Sequence, residues 1–167
     1  MGRTKDNLEE AFAGESKANR MYTAFARKAD EEAHQQVARL FRAAAAAETV
    51  HALNHLKAMN GVGDTAENLK KAVYGEHYEF QSMYPGFIKA ADEEGAKGAK
   101  WSFRVASKVE EIHHGLYSAA LKALEQAEAI TETDYYVCQV CGNTVEGEAP
   151  EKCPICGAAK AEFLRIE

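Results

Sequence analysis

The strongest constraint on the fold is a pattern that occurs twice: a lone glutamate followed, at nearly the same interval, by the motif Glu-x-x-His. In the first copy Glu15 precedes Glu48 and His51, and in the second copy Glu76 precedes the motif at positions 110–113. Residues three apart lie on the same face of a helix, so each motif brings a carboxylate and an imidazole together. The repeat predicts two helix pairs, each supplying one lone glutamate and one Glu-x-x-His.

Positions 1–130 have a helical composition, rich in Ala, Glu, Lys, Arg and Leu, with Pro85 as the one proline. Pro85 should bend or loosen the third helix, because it removes one backbone hydrogen bond. The stretch 61–64 is the clearest break and separates the two helix pairs. The predicted helices cover about 5–28, 31–59, 67–95 and 98–129.

The repeated glutamates interrupt apolar stripes at helical spacing, so they should face the core of the bundle. Glu79 adds a carboxylate that the first copy lacks, because Ala18 holds the matching position. Inward carboxylates without inward Lys or Arg would be prohibitively costly, whereas two divalent cations nearly cancel their charge. Ferritin-like di-iron and di-manganese proteins use this donor set. The candidate metal ligands are Glu15, Glu48, His51, Glu76, Glu79, Glu110 and His113.

The other histidines are weaker candidates. Glu111 and His114 form a competing Glu-x-x-His, but the pair one residue earlier continues the apolar stripe better. His55 lies one turn beyond the first motif and is expected to pack or hydrogen-bond. His34 and His77 are expected at the surface.

All four cysteines lie close to the C-terminus, in two Cys-x-x-Cys-Gly turns that begin at Cys138 and Cys153. This clustering indicates a metal site, since disulfide frameworks spread their cysteines through the fold. The spacing fits tetrahedral zinc or a single iron, and Tyr136, Phe163 and the Cys-Pro-x-Cys-Gly turn favour a rubredoxin-type iron. Four sulfurs leave no open position, so the site can only transfer electrons or stabilise the tail. The candidate ligands are Cys138, Cys141, Cys153 and Cys156.

These patterns predict two domains of different kinds. Residues 1–134 are expected to form an all-α four-helix bundle of the ferritin-like class. Residues 135–167 are expected to form a small rubredoxin-like metal-ribbon domain, which is too small to be stable without its metal.

The charge distribution argues against nucleic acid as a partner. The formal net charge is −6, with 21 acids and 17 bases in 1–134 and five acids and three bases in 135–167. No stretch approaches the roughly 20 apolar residues that cross a membrane, and residues 1–10 are too polar for a secretory signal core. A cytoplasmic location is expected.

The order of these motifs resembles the rubrerythrin family over essentially the whole chain. The shared features are the run AFAGESKA around Glu15, the paired Glu-x-x-His motifs, Gly75-Glu76-x-x-Glu79 and the two cysteine turns. The resemblance implies two non-haem irons held by the seven glutamates and histidines, and one iron, or zinc, held by the four cysteines. It also implies that Glu79 and His51 exchange on one iron between oxidation states.

Two tyrosines also match family positions. The resemblance implies that Tyr22 and Tyr84 hydrogen-bond near the dinuclear cluster. On spacing alone, both fit equally well as core aromatic residues with satisfied hydroxyl groups.

The resemblance implies a peroxidase that reduces hydrogen peroxide to water in defence against oxidative stress. Electrons would come from rubredoxin or an NAD(P)H-dependent reductase and pass through the cysteine-bound iron. Because the two sites of one chain are expected to be too far apart, a head-to-tail homodimer is expected. Some family members exchange helix pairs between subunits, and the short 48–76 segment leaves that possibility open.

Three other functions remain open at this point. A ferroxidase that stores iron would use a similar bundle but needs no cysteine site. A structural or metal-sensing module would hold zinc in the tail. A di-manganese catalase would disproportionate peroxide without any added reductant.

Overall fold

The computed structural model describes residues 2–167. These residues form two compact units, one ending at Gly63 and the other beginning at Asp64. Each unit contains one of the two predicted helix pairs, and the division falls within the predicted break at 61–64. Met1, which the predicted first domain includes, lies outside the described residues. None of the helices in 2–167 is long and apolar enough to cross a membrane.

The first unit consists of helices α1 (Arg3–Glu31) and α2 (Gln35–Ala58). Helix α2 begins four residues after the predicted start near 31, because Ala33 adopts a left-handed φ of 61° and separates the two helices. Small side chains line the contact between the helices and let their backbones approach closely. The buried alanines are Ala26, Ala29, Ala38, Ala45 and Ala52.

A buried asparagine links these two helices next to the predicted ligands. The Nδ2 group of Asn19 donates to the carbonyl oxygen of Ala45 at 2.6 Å and to the Oγ1 atom of Thr49 at 2.8 Å. Asn19 lies one turn after Glu15, and Thr49 directly follows Glu48. Because a buried amide must keep its partners, this bridge fixes how the two helices pair.

The second unit begins with helix α3 (Thr65–Tyr78), which a capping box starts. The Oδ1 atom of Asp64 accepts from the amide of Glu67 at 2.8 Å, and the amide of Asp64 donates to the Oε2 atom of Glu67 at 3.1 Å. These two bonds satisfy amide groups that a helix start otherwise leaves without partners.

The third predicted helix contains a π-helical turn (Glu79–Met83) between α3 and helix α4 (Tyr84–Glu93). Pro85 lies in the first turn of α4, and its missing N–H accounts for the widened hydrogen-bond pattern just before it. The predicted loosening of this helix at Pro85 is therefore confirmed.

Helix α5 (Lys97–Glu125) completes the helical part of the second unit. Its last residue lies four positions before the predicted end near 129. The left-handed conformation of Ala127, with φ 52°, ends it earlier.

The C-terminal region forms a three-stranded antiparallel sheet in the order β2-β1-β3. Its strands are β1 (Tyr135–Cys138), β2 (Thr144–Glu146) and β3 (Phe163–Ile166). The predicted fold class, a mostly helical protein with a small C-terminal region that carries the cysteines, is confirmed.

Candidate metal centres

The first unit holds a group of three candidate ligands, which we call the first triad: Glu15 on α1 and Glu48 and His51 on α2. One donor atom from each residue lies within 4.8 Å of the others. The Nδ1 atom of His51 is 2.8 Å from the Oε2 atom of Glu48. The first copy of the sequence repeat thus forms a half-site with two carboxylates and one imidazole.

The second unit holds the equivalent second triad: Glu76 on α3 and Glu110 and His113 on α5. Its donor atoms also lie within 4.8 Å of one another. The Nδ1 atom of His113 is 2.9 Å from the Oε2 atom of Glu110 and 3.9 Å from the Oε1 atom of Glu76. In both triads, Nδ1 is therefore the imidazole nitrogen that points toward the glutamate carboxylates.

The charges of the second triad are those expected of an anionic metal-binding group. Burial, followed by the charge of Glu110, raises the pKa of Glu76 to about 7. A hydrogen bond to Glu110 is the main cause that raises the pKa of His113. The proton shared by Nδ1 of His113 and the carboxylate of Glu110 thus lies where a metal cation can bind. The oxygen and nitrogen donors of the triad are of the kind that bind iron.

Glu79 and Tyr84 flank the second triad at the two ends of the π-helical turn. Burial, followed by the charge of Glu110, raises the pKa of Glu79. Burial, followed by the charge of Glu79, raises the pKa of the Tyr84 hydroxyl. These side chains share the electrostatic environment of the carboxylates, although Glu79 is not one of the three mutually close donors.

Tyr22 lies in an aromatic cluster of the first unit. Its ring centroid is 6.3 Å from that of Phe25 and 6.1 Å from that of Phe41. Within residues 2–167 its hydroxyl has no hydrogen-bond partner, so a role beside the cluster stays a prediction.

The competing histidine, His114, lies in a separate aromatic group. Its ring centroid is 5.4 Å from that of His77 and 5.5 Å from that of Phe80. Glu111 is exposed and belongs to no triad of close donors among the described residues. His34 and His77 are exposed as expected, and His55 is half-buried.

Thr144 contacts the second triad, and the sequence analysis did not identify it. Its Oγ1 atom lies 2.8 Å from the Nε2 atom of His113, and its hydroxyl donates to the carbonyl oxygen of Gly142 at 3.2 Å. Gly142 directly follows Cys141, so two hydrogen bonds join a cysteine turn to His113, a candidate ligand of the second triad. No sequence pattern marks Thr144.

The four cysteine sulfurs lie within 4.8 Å of one another. The Sγ atoms of Cys138 and Cys156 are 3.7 Å apart, and those of Cys141 and Cys153 are 3.5 Å apart. A tetrahedron with metal–sulfur distances of about 2.3 Å has edges of about 3.8 Å, so these distances suit one ion.

The environment of the thiols differs among the cysteines: burial raises the pKa of Cys141 and of Cys156, whereas the pKa of Cys153 is lowered. Burial opposes ionisation of Cys153, but the backbone amides of Cys156 and Ile155 outweigh it and lower the pKa of this thiol to about 7. Gly142 and Gly157 adopt left-handed φ values of 83° and 81°, which the tight turns require. This geometry fits a tetrahedral sulfur site with no open coordination position.

Comparisons with known proteins cover both regions of the chain. The family model described as Rubrerythrin matches residues 6–121, and the model described as Rubrerythrin, rubredoxin-like domain matches residues 136–164. Rubrerythrin-1 of Clostridium acetobutylicum is 35% identical, with 96% of this chain and 93% of that protein covered. Nigerythrin of Nitratidesulfovibrio vulgaris is 37% identical, with 98% and 86% covered.

Among solved structures, the fully reduced, all-ferrous state of nigerythrin is similar with a TM-score of 0.59. Its sequence is 36% identical to this chain, and the match covers 99% of this chain and 88% of that one. The similarity therefore includes the helices and the cysteine-bearing region.

Proposed function

Because the chain belongs to the rubrerythrin family, we propose that it is a peroxidase that reduces hydrogen peroxide to water with electrons delivered through its four-cysteine site. One observation carries the proposal. The same chain contains two equivalent Glu-Glu-His triads and a closed four-sulfur site, which is suited to electron transfer and not to substrate binding.

The cofactors predicted from the sequence, a diiron centre and one metal ion bound by four cysteines, are those of the family. We propose that the two triads and Glu79 together bind the two irons. This ligand assignment holds whether both triads come from one chain or from two copies of it. Bound by these residues, two ferrous ions would supply the two electrons that, with two protons, reduce one peroxide to two waters.

The side chains around the irons have distinct roles in this proposal. The carboxylates offset the charge of the metal ions, and the imidazoles complete the donor set. The Tyr84 hydroxyl is protonated at neutral pH, as an ordinary phenol is, and its raised pKa keeps it in that form, so it can donate a hydrogen bond to an oxygen of peroxide.

Rubredoxin or an NAD(P)H-dependent reductase is the proposed electron donor. The head-to-tail homodimer and the cytoplasmic location also remain predictions. In defence against oxidative stress, the enzyme would consume peroxide as long as a reductant is supplied.

The test combines metal analysis with peroxide consumption, using protein made in iron-replete cells. The proposal expects two irons at the triads, one at the cysteines, and peroxide loss that requires a donor. Glu110→Gln should abolish peroxide loss, whereas the adjacent Glu111→Gln, on an exposed side chain, is the matched control.

Other outcomes would replace the proposal. Oxidation of added Fe²⁺ by dioxygen that does not need the cysteines would indicate a ferroxidase. Peroxide loss without a donor, with release of dioxygen, would indicate a catalase. Zinc at both sites without peroxide loss would indicate a structural module.

A further inference from the structure

A row of cationic side chains follows one face of α5, at intervals of three or four positions that place them side by side. Together with two apolar residues they line a groove of about 360 Å³, which we call the basic groove. Its residues are Lys97, Lys100, Trp101, Arg104, Val105, Lys108 and Ile155.

The basic groove lies on the side of α5 that faces away from the second triad. A helix turns by about 100° per residue, which places Arg104 and Lys108 roughly 120° and 160° around the axis from Glu110. Both cationic side chains are exposed. The groove is therefore separate from the metal-binding face.

The positive charge of the groove is mostly uncompensated. Lys100 pairs with Asp92, but within residues 2–167 no ion pair is formed by Lys97, Arg104 or Lys108. This concentration of cations contrasts with the net charge of −6 for the chain. Such a patch attracts a partner with negative surface charge.

Trp101 adds an aromatic contact to this charged surface. It is the one tryptophan of the chain, and it is 50% exposed. Tryptophan and arginine are enriched at the centres of protein interfaces. The combination of exposed tryptophan and unpaired cations suits a binding surface for an acidic protein.

One wall of the groove belongs to the four-cysteine site. Ile155 lies between Cys153 and Cys156, and its backbone amide hydrogen-bonds to the sulfur of Cys153. A partner in the groove would therefore contact a residue that also touches a ligand sulfur. Electrons could enter the site over a short distance at this position.

We propose that the basic groove is the docking surface for an acidic, one-electron donor protein. The proposal rests on the proposed function, in which the cysteine-bound iron accepts electrons. One electron leaves the reduced metal centre of the donor and reduces the cysteine-bound iron from ferric to ferrous, and no atom is transferred. A nicotinamide nucleotide is also anionic, but it releases two electrons as a hydride, which a single iron does not accept.

The test uses the full, iron-loaded chain and an acidic rubredoxin as the probe. Trp101 is an intrinsic fluorescent reporter, so a titration with the rubredoxin measures binding without peroxide. The triple variant Lys97→Gln, Arg104→Gln, Lys108→Gln removes three charges and keeps good helix formers. The triple variant Lys17→Gln, Lys57→Gln, Lys122→Gln makes the same charge change at exposed sites outside the groove.

We expect the groove variant to bind rubredoxin at least tenfold more weakly. Its affinity for rubredoxin should also fall less steeply as the salt concentration rises. The control variant should change affinity less than twofold. The rate of reduction of the cysteine-bound iron, followed by its visible absorption, should fall in parallel. Equal affinities for the two variants would overturn the proposal, as would displacement of rubredoxin by micromolar NADPH. Loss of peroxidase activity with every donor would refute the proposed function, while the titration would still decide where the donor binds.

Discussion

The Nε2 atom of His113 lies 2.8 Å from the hydroxyl oxygen of Thr144, so a helix that carries candidate metal ligands is tied to the strand that follows a cysteine turn. The hydroxyl of Thr144 itself donates to the carbonyl oxygen of Gly142, so its oxygen accepts from Nε2–H. This keeps the proton on Nε2 and leaves Nδ1 directed at Glu110, where a metal can bind.

Thr144→Val should weaken metal binding at the second triad by about 10- to 100-fold, because it removes the acceptor that orients the imidazole. Titration with Co²⁺ measures the affinity, and long-range ¹H–¹⁵N NMR of zinc-loaded protein reports which nitrogen of His113 carries the proton. Thr144→Ser keeps the hydroxyl and should restore both properties, while Thr131→Val at an exposed site is the control. An unchanged affinity in Thr144→Val would show that the bond does not orient His113.

Glu76→Gln should stabilise the metal-free protein, and more so at pH 8 than at pH 5. The pKa of Glu76 is raised to about 7 in the folded protein from its ordinary 4.5, so ionisation costs folding free energy as the pH rises between these values. Below the lower value both states are protonated and the penalty is absent.

Thermal unfolding of chelated protein at the two pH values measures the effect of Glu76→Gln. Glu111→Gln, at an exposed carboxylate on α5, is the control. A gain in Tm at pH 5 as large as that at pH 8 would contradict the electrostatic explanation.

Removal of the metal from the cysteines should unfold the C-terminal sheet but leave the helices intact. The region has three short strands, and two of its four buried residues are cysteines, so metal binding supplies much of its stability. Hydrogen exchange at Val137 and Leu164 should become fast, while the helical circular dichroism persists. Cys156→Ser should have the same effect, and continued protection of both amides would refute the expectation.

Asp64→Ala should destabilise the second unit by about 0.5–2 kcal/mol, because it removes the side-chain cap of α3. Urea unfolding measures the change in free energy. Asp64→Asn retains a good capping residue and should lose much less. Equal losses for the two variants would show that another property of Asp64 is responsible.

The helices and the ligand-bearing faces could be predicted because they follow from local spacing. The pairing of Glu48 with His51 requires only a helix, and the structure shows their donor atoms 2.8 Å apart. Pro85 likewise acts through its missing amide, which is a local property. Ala33 and Ala127 could not be predicted to end helices, because alanine favours helix and adopts positive φ only in the folded context.

The contact between Thr144 and His113 could not be predicted for a different reason. The two residues are 31 positions apart, and their contact depends on how the sheet packs against α5. A threonine after a cysteine turn has many possible roles, so its residue type indicates none. Similarly, the cations of α5 resemble any solvated helix face until the position of Ile155 is known.

The π-helical turn determines the rotational phase of the helix that carries Glu76 and Tyr84. In an uninterrupted α-helix, residues eight apart differ by about 80° around the axis, so the tyrosine would point away from the glutamate's face. A π-helical turn accommodates about one additional residue and shifts everything after it by roughly 100°, which brings Tyr84 back to within about 20° of Glu76. Conversion of this turn to regular α-helix at unchanged chain length would rotate the phenol by roughly 100° away from the carboxylates, although every functional side chain would still be present in the sequence.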